Sequence, residues 1–208
     1  MNEKPLPRTY GEVERSYGRA YRLLRPLVGF LYPMRSFGAE NVPEGPVILC
    51  ANHSNYIDPL LAAFACGKTH MIHFMAKIEL RRVPILGRIL EKIGVVFVER
   101  GKSDIEAIRA SMRLLKDGRQ VFLFPEGTRT EEDNQVEAKT GAVRIAAKLH
   151  VPIVPMYIPR RKRIFGRITV GIGKPISVEA VTHEEYERSA AQVMEQIYQL
   201  RDGEAHGR

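Results

Sequence analysis

Short apolar runs alternate with amphipathic stretches along most of this chain, and this alternation limits the folds that it can adopt. From residue 46 onwards, apolar runs are separated by segments with helical periodicity. Short apolar strands bounded by helices are typical of a parallel sheet that is buried on both faces. The pattern predicts an α/β fold, a single domain with a central, mostly buried sheet flanked by helices. The predicted strands are 47–51, 71–76, 94–98, 120–124, 153–158 and 167–171, and the predicted helices are 58–66, 86–92, 104–117, 140–149 and 183–201.

The N-terminal segment is predicted to be a separate helical element. Residues 10–34 mix Leu, Phe and Tyr with four arginines at three- and four-residue steps, and Pro26 should bend or divide the helix. Such a pattern suits an amphipathic helix on an anionic membrane, although a helix packed on the core with solvated arginines would look the same. We expect residues 1–35 to contact the membrane and residues 36–208 to form the main domain. The four arginines are Arg15, Arg19, Arg22 and Arg25.

The composition narrows the classes of partner. The 208 residues carry a net charge of +8, which favours nucleic acids, anionic membranes or acidic proteins. Aromatic residues make up only 8% of the chain and no zinc-finger or RNP-like signature occurs, so we expect no nucleic-acid partner. No apolar run approaches the ~18 residues that span a bilayer, and the polar start of the chain does not resemble a signal peptide. Cys50 and Cys66 lie in apolar surroundings and are expected to be buried, reduced thiols.

His53 and Asp58 stand between the predicted strand 47–51 and the helix that follows it. His is the side chain best suited to move a proton near neutral pH, and a carboxylate on its other nitrogen would fix its tautomer. Since no Gly-x-Ser-x-Gly elbow occurs, the pair would activate a substrate hydroxyl rather than an enzyme nucleophile. A purely structural interpretation also exists, because Asp58 before Pro59 is typical of a helix N-terminus.

A second polar cluster follows the predicted strand 120–124 and Pro125. It consists of a carboxylate, a glycine, a hydroxyl and a guanidinium in succession, Glu126, Gly127, Thr128 and Arg129. The glycine permits close approach of backbone amides to a ligand, and the guanidinium fork suits phosphate oxygens. A surface turn would explain this cluster in isolation, but its position after a buried strand favours a site.

Four blocks of the sequence occur in the order found in one enzyme family. With these blocks the chain resembles the glycerolipid acyltransferases, most closely the bacterial 1-acylglycerol-3-phosphate (lysophosphatidate) acyltransferases. The similarity covers about residues 36–175, so the main domain is interpreted as an acyltransferase domain. The four blocks are residues 52–58, 94–100, 124–129 and 151–156.

The resemblance implies transfer of a fatty acyl group from a thioester to the sn-2 hydroxyl of lysophosphatidate, which gives phosphatidate. Acyl-CoA or acyl carrier protein would be the co-substrate, and no cofactor is expected. His53 would be the general base and Asp58 its orienting partner. Backbone amides near His53 or Gly127 are candidates for stabilising the oxyanion. The implied acceptor-site residues are Arg129 and Arg100 for the phosphate, Lys77 as a further phosphate ligand, Glu126 for the glycerol portion, and Thr128 and the Gly127 amide as hydrogen-bond donors.

The same resemblance places the protein at the cytoplasmic face of the cell membrane, as a peripheral or monotopic enzyme that meets membrane phospholipid. Glycerol-3-phosphate or another lysolipid is an alternative acceptor within the family. A non-catalytic peripheral membrane-binding protein is the alternative from a different class, although the intact motifs argue against it.

A basic run and a group of two histidines and a cysteine are further candidates for ligand contacts. The basic run 160–163 is interpreted either as a solvated surface or as a contact for lipid headgroups or an acidic carrier protein. His70, His73 and Cys66 have no carboxylate at a suitable spacing, so no metal site is expected.

Overall fold

A computed structural model describes residues 9–98, 103–133 and 135–202. Within these ranges seven strands and seven α-helices are present. The strands are β1 (Met34–Phe37), β2 (Val47–Ala51), β3 (Ile72–Lys77), β4 (Val96–Val98), β5 (Gln120–Leu123), β6 (Ile153–Tyr157) and β7 (Ile168–Ile172). The helices are α1 (Tyr10–Leu31), α2 (Asp58–Cys66), α3 (Ile78–Arg81), α4 (Leu86–Lys92), α5 (Ser103–Lys116), α6 (Gly141–Leu149) and α7 (His183–Asp202).

All seven strands belong to one sheet, in the order β1-β7-β6-β2-β5-β3-β4. The predicted α/β fold with a central sheet flanked by helices is therefore confirmed. Strands β2 to β6 are mutually parallel, whereas β7 is antiparallel to β6 and β1 is parallel to β7. The carboxyl ends of the adjacent strands β5, β2 and β6 consequently meet at one edge of the sheet. The loops that follow these three strands form the candidate site.

Strand β2 lies in the middle of the sheet and is buried on both faces. Its successive side chains point to opposite faces of the sheet and pack into two different core clusters. Leu49 belongs to the cluster that packs against α2, whereas Ile48 belongs to the cluster that packs against α6 and α7. Cys50 and Cys66 are both free and buried, and burial raises the pKa of the Cys66 thiol to about 12. This two-sided burial explains why the strand appears in the sequence as a continuous apolar run.

Helix α1 is a single helix of 22 residues with Pro26 inside it, so the proline does not divide the helix, which was one of the two outcomes expected from the sequence. One side packs on the core: Tyr17 and Val28 are buried, and the Tyr21 ring meets the Phe64 ring edge-on at 5.2 Å. The opposite side carries large exposed apolar side chains, among them Leu27 and Phe30. No helix in the described part of the chain is long and apolar enough to cross a membrane.

Two elements were not predicted from the sequence. Strand β1 begins at Met34, so it contains residues from both sides of the predicted boundary between residues 35 and 36. It lies at the sheet edge with Arg35 and Ser36 exposed, and therefore lacks an apolar run. The four-residue helix α3 is too short to show a helical period.

Candidate active site

The Asp58 carboxylate organises the loop that follows β2. Its Oδ2 atom accepts hydrogen bonds from His53 Nδ1 at 2.9 Å, from Ser54 N at 2.8 Å and from Asn55 N at 2.7 Å. Asp58 is fully buried, and burial alone would raise its pKa. The hydrogen bond from His53, the charge of Lys162 and the hydrogen bond from the Ser54 amide outweigh burial and lower the pKa of Asp58. The carboxylate is therefore ionised, and it closes the preceding loop.

The His53 backbone and ring are both held in place. Its N–H donates to Glu126 Oε2 at 2.7 Å, and its carbonyl oxygen accepts from Thr130 N at 2.9 Å and from Arg160 Nη1 at 3.2 Å. The imidazole stacks on Phe124 with the ring centroids 3.9 Å apart. Because an ionised carboxylate is only an acceptor, Nδ1 carries the proton that it donates to Asp58. In the neutral ring the lone pair is then on Nε2, which can act as a general base.

Glu126 holds the backbone of the His53 loop in place through a hydrogen bond. It is buried, and both carboxylate oxygens accept hydrogen bonds from protein groups. Oε2 accepts from the His53 amide, while Oε1 accepts from Arg160 Nη2 and, at 3.0 Å, from the Tyr198 hydroxyl. In this arrangement Glu126 positions His53. The resemblance also implies that Glu126 contacts the glycerol portion of the acceptor, and this contact stays a prediction.

The chain after β6 contributes two cations to the site that the sequence did not identify. The Arg160 side chain is 7% exposed, with Nε 2.6 Å from Asp133 Oδ1 and Nη1 2.6 Å from Thr130 Oγ1. The Lys162 side chain is 2% exposed, with Nζ 2.7 Å from Asp58 Oδ1 and 2.8 Å from Ser54 Oγ. Arg161 and Arg163, by contrast, are exposed. The basic run is thus neither a fully solvated surface nor only a docking surface, because its alternate members enter the site.

Asn52 joins the loop after β2 to the segment after β6. The side chain is fully buried; its Nδ2 donates to the Ile158 carbonyl oxygen at 2.8 Å, and its Oδ1 accepts from the Ile158 amide at 2.9 Å. These two bonds continue the ladder between β2 and β6 beyond the ends of the strands. They fix the position of His53 relative to the segment that carries Arg160 and Lys162.

The other predicted acceptor-site residues lie at the outer surface. Gly127, Thr128 and Arg129 are exposed, and the Arg129 guanidinium lies 3.7 Å from the Tyr56 ring centroid. Gly127 has a φ of +65°, a backbone conformation that favours glycine, whereas a Cβ added there would meet only the flexible end of the Lys139 side chain. Lys77 is exposed at the end of β3, and Arg100 lies outside the described residues.

The backbone amides that the sequence offered as oxyanion donors are engaged within the protein. The His53 amide donates to Glu126, the Ser54 and Asn55 amides donate to Asp58, and the Gly127 amide donates to the Phe124 carbonyl oxygen at 2.9 Å. In this conformation they fix the two loops and are not directed at a ligand.

The histidines considered for a metal site have other contacts. His73 Nδ1 donates to the Gly94 carbonyl oxygen at 2.9 Å, and His70 lies beside the Gln120 side chain. Across the described ranges, no three His, Cys, Asp or Glu side chains are grouped so that they could hold a metal ion.

Comparison with known proteins identifies relatives of this chain. The profile of the acyltransferase family matches residues 34–159. A 1-acyl-sn-glycerol-3-phosphate acyltransferase from Bacillus subtilis is 34% identical over 157 residues, which are 72% of this chain and 77% of that protein. A chloroplastic protein of the same name from Arabidopsis thaliana is 30% identical over 78% of this chain, but the match spans only 46% of the plant protein.

A solved structure is similar over nearly the whole chain. The 1-acyl-sn-glycerophosphate acyltransferase PlsC from Thermotoga maritima superimposes with a TM-score of 0.67 at 25% identity, covering 95% of this chain and 80% of that one. The likeness therefore extends from the α/β core to helices outside the region that the family profile matches.

The buried pair of Arg160 and Glu126 gives a prediction about stability. Arg160→Met leaves the Glu126 carboxylate buried without its cation, which should cost about 3–5 kcal/mol of unfolding free energy. The matched control is Arg161→Met, which removes an exposed charge from the same run and should change stability by less than about 0.5 kcal/mol. Urea denaturation of both variants measures the difference. Equal stabilities for the two would show that the buried ion pair contributes nothing.

Proposed function

The chain belongs to the acyltransferase family, and on this premise we propose that it transfers a fatty acyl group from a thioester to the sn-2 hydroxyl of lysophosphatidate. The observation that carries the proposal is the contact between His53 Nδ1 and the Asp58 carboxylate. Its Nδ1–H is directed at the ionised, buried carboxylate of Asp58, which leaves the basic Nε2 for a substrate hydroxyl. The names of the relatives support the acceptor, since several are named 1-acyl-sn-glycerol-3-phosphate acyltransferase.

The proposed step uses His53 first as a base and then as an acid. Nε2 removes the proton of the sn-2 hydroxyl as its oxygen attacks the thioester carbonyl carbon. Asp58 stabilises the resulting imidazolium through Nδ1. Collapse of the tetrahedral intermediate breaks the carbon–sulfur bond, and the leaving thiolate takes the proton from Nε2. The products are the new ester and a free thiol, and the histidine returns to its starting state.

The acceptor phosphate is proposed to lie over the loop after β5. Arg129 is exposed there, and its guanidinium rests on Tyr56 of the His53 loop, so the two loops present one surface. A guanidinium stacked on an aromatic ring keeps its N–H groups available at the edge for phosphate oxygens. Lys77 is a further cation of the same sheet edge, since β3 is the neighbour of β5.

We also propose a bilayer contact beside the site, through an apolar patch formed by Leu27, Phe30, Ile164 and Phe165. The Phe165 amide donates to the Leu31 carbonyl oxygen, and the Phe30 and Phe165 rings meet edge-on at 5.5 Å. The two rings belong to residues that are 69% and 64% exposed. Arg19 and Arg22 are exposed on the same helix as Phe30 and add attraction to anionic headgroups.

Removal of the base tests the proposed function. His53→Ala should lower acyl transfer by about 10²–10⁴-fold while thermal unfolding shows a folded protein. The assay combines lysophosphatidate, glycerol-3-phosphate or another lysolipid with acyl-CoA or acyl carrier protein, and the products are identified by mass. His183→Ala, which removes an exposed histidine, serves as the control. Wild-type turnover in the His53 variant would refute the base, and transfer to glycerol-3-phosphate alone would reassign the acceptor.

Loss of the Arg129 guanidinium should weaken binding of a phosphate-bearing acceptor. A charge-assisted hydrogen bond contributes about 1.5–3 kcal/mol, so Arg129→Ala should raise KM for lysophosphatidate by about 10- to 150-fold. Arg129→Lys should recover part of this loss, and the exposed Arg188→Ala is the control. An unchanged KM in Arg129→Ala would remove this residue from the phosphate site.

The apolar patch should provide membrane binding that resists salt. Phe30→Ser combined with Phe165→Ser should reduce co-sedimentation with anionic vesicles, mainly the fraction retained at high salt, because salt screens only the arginines. Val181→Ser removes an exposed apolar side chain elsewhere and should have no effect. Undiminished salt-resistant binding by the double variant would place the bilayer contact on another surface.

A further inference from the structure

We propose that Lys162 is a positioning residue of the acyl-transfer reaction, which holds the Asp58 carboxylate against His53 and sets the charge balance of this pair. The inference rests on the proposed function, because it gives His53 the role of the base. Lys162 would not touch the substrate, and its effect would reach the reaction through Asp58.

The contacts of Asp58 divide between its two oxygens. Oδ2 accepts the hydrogen bond from His53 and those of two loop amides. Oδ1 accepts no other hydrogen bond in the described part of the chain, and the Lys162 ammonium lies 2.7 Å from it. Lys162 is therefore the group that compensates this buried oxygen and prevents the carboxylate from turning away from His53.

Lys162 also fixes the loop on which His53 stands. Its Nζ donates to Ser54 Oγ at 2.8 Å, and Ser54 Oγ donates to the Arg160 carbonyl oxygen at 3.4 Å. The residue after the base is thus tied to the segment after β6 by side-chain contacts. With a side chain that is 2% exposed, Lys162 is too deeply enclosed to meet a phosphate group at the surface.

The charge of Lys162 influences how readily His53 takes up a proton. An ammonium beside Asp58 offsets part of the negative charge that favours the imidazolium. Burial lowers the pKa of Lys162, the charge of Asp58 raises it and the charge of Arg160 lowers it, and the net shift is downward. The other charged groups around this pair form one network. Arg160 pairs with both Glu126 and Asp133, Asp133 also pairs with Arg201, and Glu126 accepts the hydrogen bond of the His53 amide.

The pH dependence of kcat/KM separates this role from a merely structural one. Lys162→Met removes the ammonium and leaves Asp58 to favour the protonated ring, so the acid limb of the profile should move to higher pH by about one unit or more. Lys162→Arg keeps the charge and should leave the limb near its wild-type position. Arg161→Met removes a neighbouring exposed charge and should not move the limb.

Lys162→Gln provides a second neutral variant in case Lys162→Met does not fold. Its amide can donate to Asp58 Oδ1 without a charge, so the fold should survive, as checked by thermal unfolding, while the limb still moves. An unmoved limb in the folded neutral variants would overturn the proposal. A raised KM for lysophosphatidate with an unmoved limb would instead make Lys162 a substrate ligand, which also overturns it.

A measurement independent of turnover distinguishes this proposal from the proposed function. In protein with ¹³C-labelled histidine, the His53 signal is assigned by its loss in His53→Gln and followed against pH. Its titration midpoint should be higher in Lys162→Met than in the wild type, and an equal midpoint would refute the influence of Lys162. If the wild type transferred no acyl group, the proposed function would fail while this comparison would still be decisive for Lys162.

Discussion

A buried carboxylate, that of Asp58, is the group on which the rest of the site depends. A carboxylate without solvent is strongly unfavourable unless hydrogen bonds and an opposite charge replace water. Here the replacement comes from three directions: the His53 ring, two amides of its own loop and the Lys162 ammonium. Because each of these groups must contact the carboxylate, each is held in place by it. The need to compensate this one buried charge therefore determines the course of the loop and the orientation of the His53 ring.

The buried carboxylate of Glu126 also needs an opposite charge and hydrogen bonds to replace water. This carboxylate is buried against Arg160, which also contacts Asp133. Both cations come from the chain after β6, where alternate side chains point towards the site and their neighbours point to solvent. Two buried carboxylates from separate loops therefore form ion pairs with two cations from one extended segment. This is possible because β5, β2 and β6 are parallel and adjacent, so the segments that follow them lie side by side.

The fold was largely predictable because burial leaves a strong pattern in the sequence. Strand β2 is buried on both faces and appears as a continuous apolar run, whereas β1 is a half-exposed edge strand and gives no such signal. The His53 and Asp58 pair could be proposed from the sequence, since its residues are five apart. The cations could not, because Lys162 contacts Ser54 across 108 positions and a basic run on its own is usually solvated. A period of two that continues from β6 was the signal that could have revealed them.

The way Asn52 joins two distant segments has a consequence for the order in which the protein assembles. Asn52 and Ile158 are separated by 106 positions, and the hydrogen bond from Lys162 to Ser54 spans 108 positions. During synthesis, the loop that bears His53 leaves the ribosome long before the residues that fix it. Contacts of such large sequence separation are slow to form, because the entropy of closing the intervening chain is lost first. The site is thus completed only after β6 has joined the sheet, so a partly made chain contains His53 without the contacts from the segment after β6 that hold its loop in place.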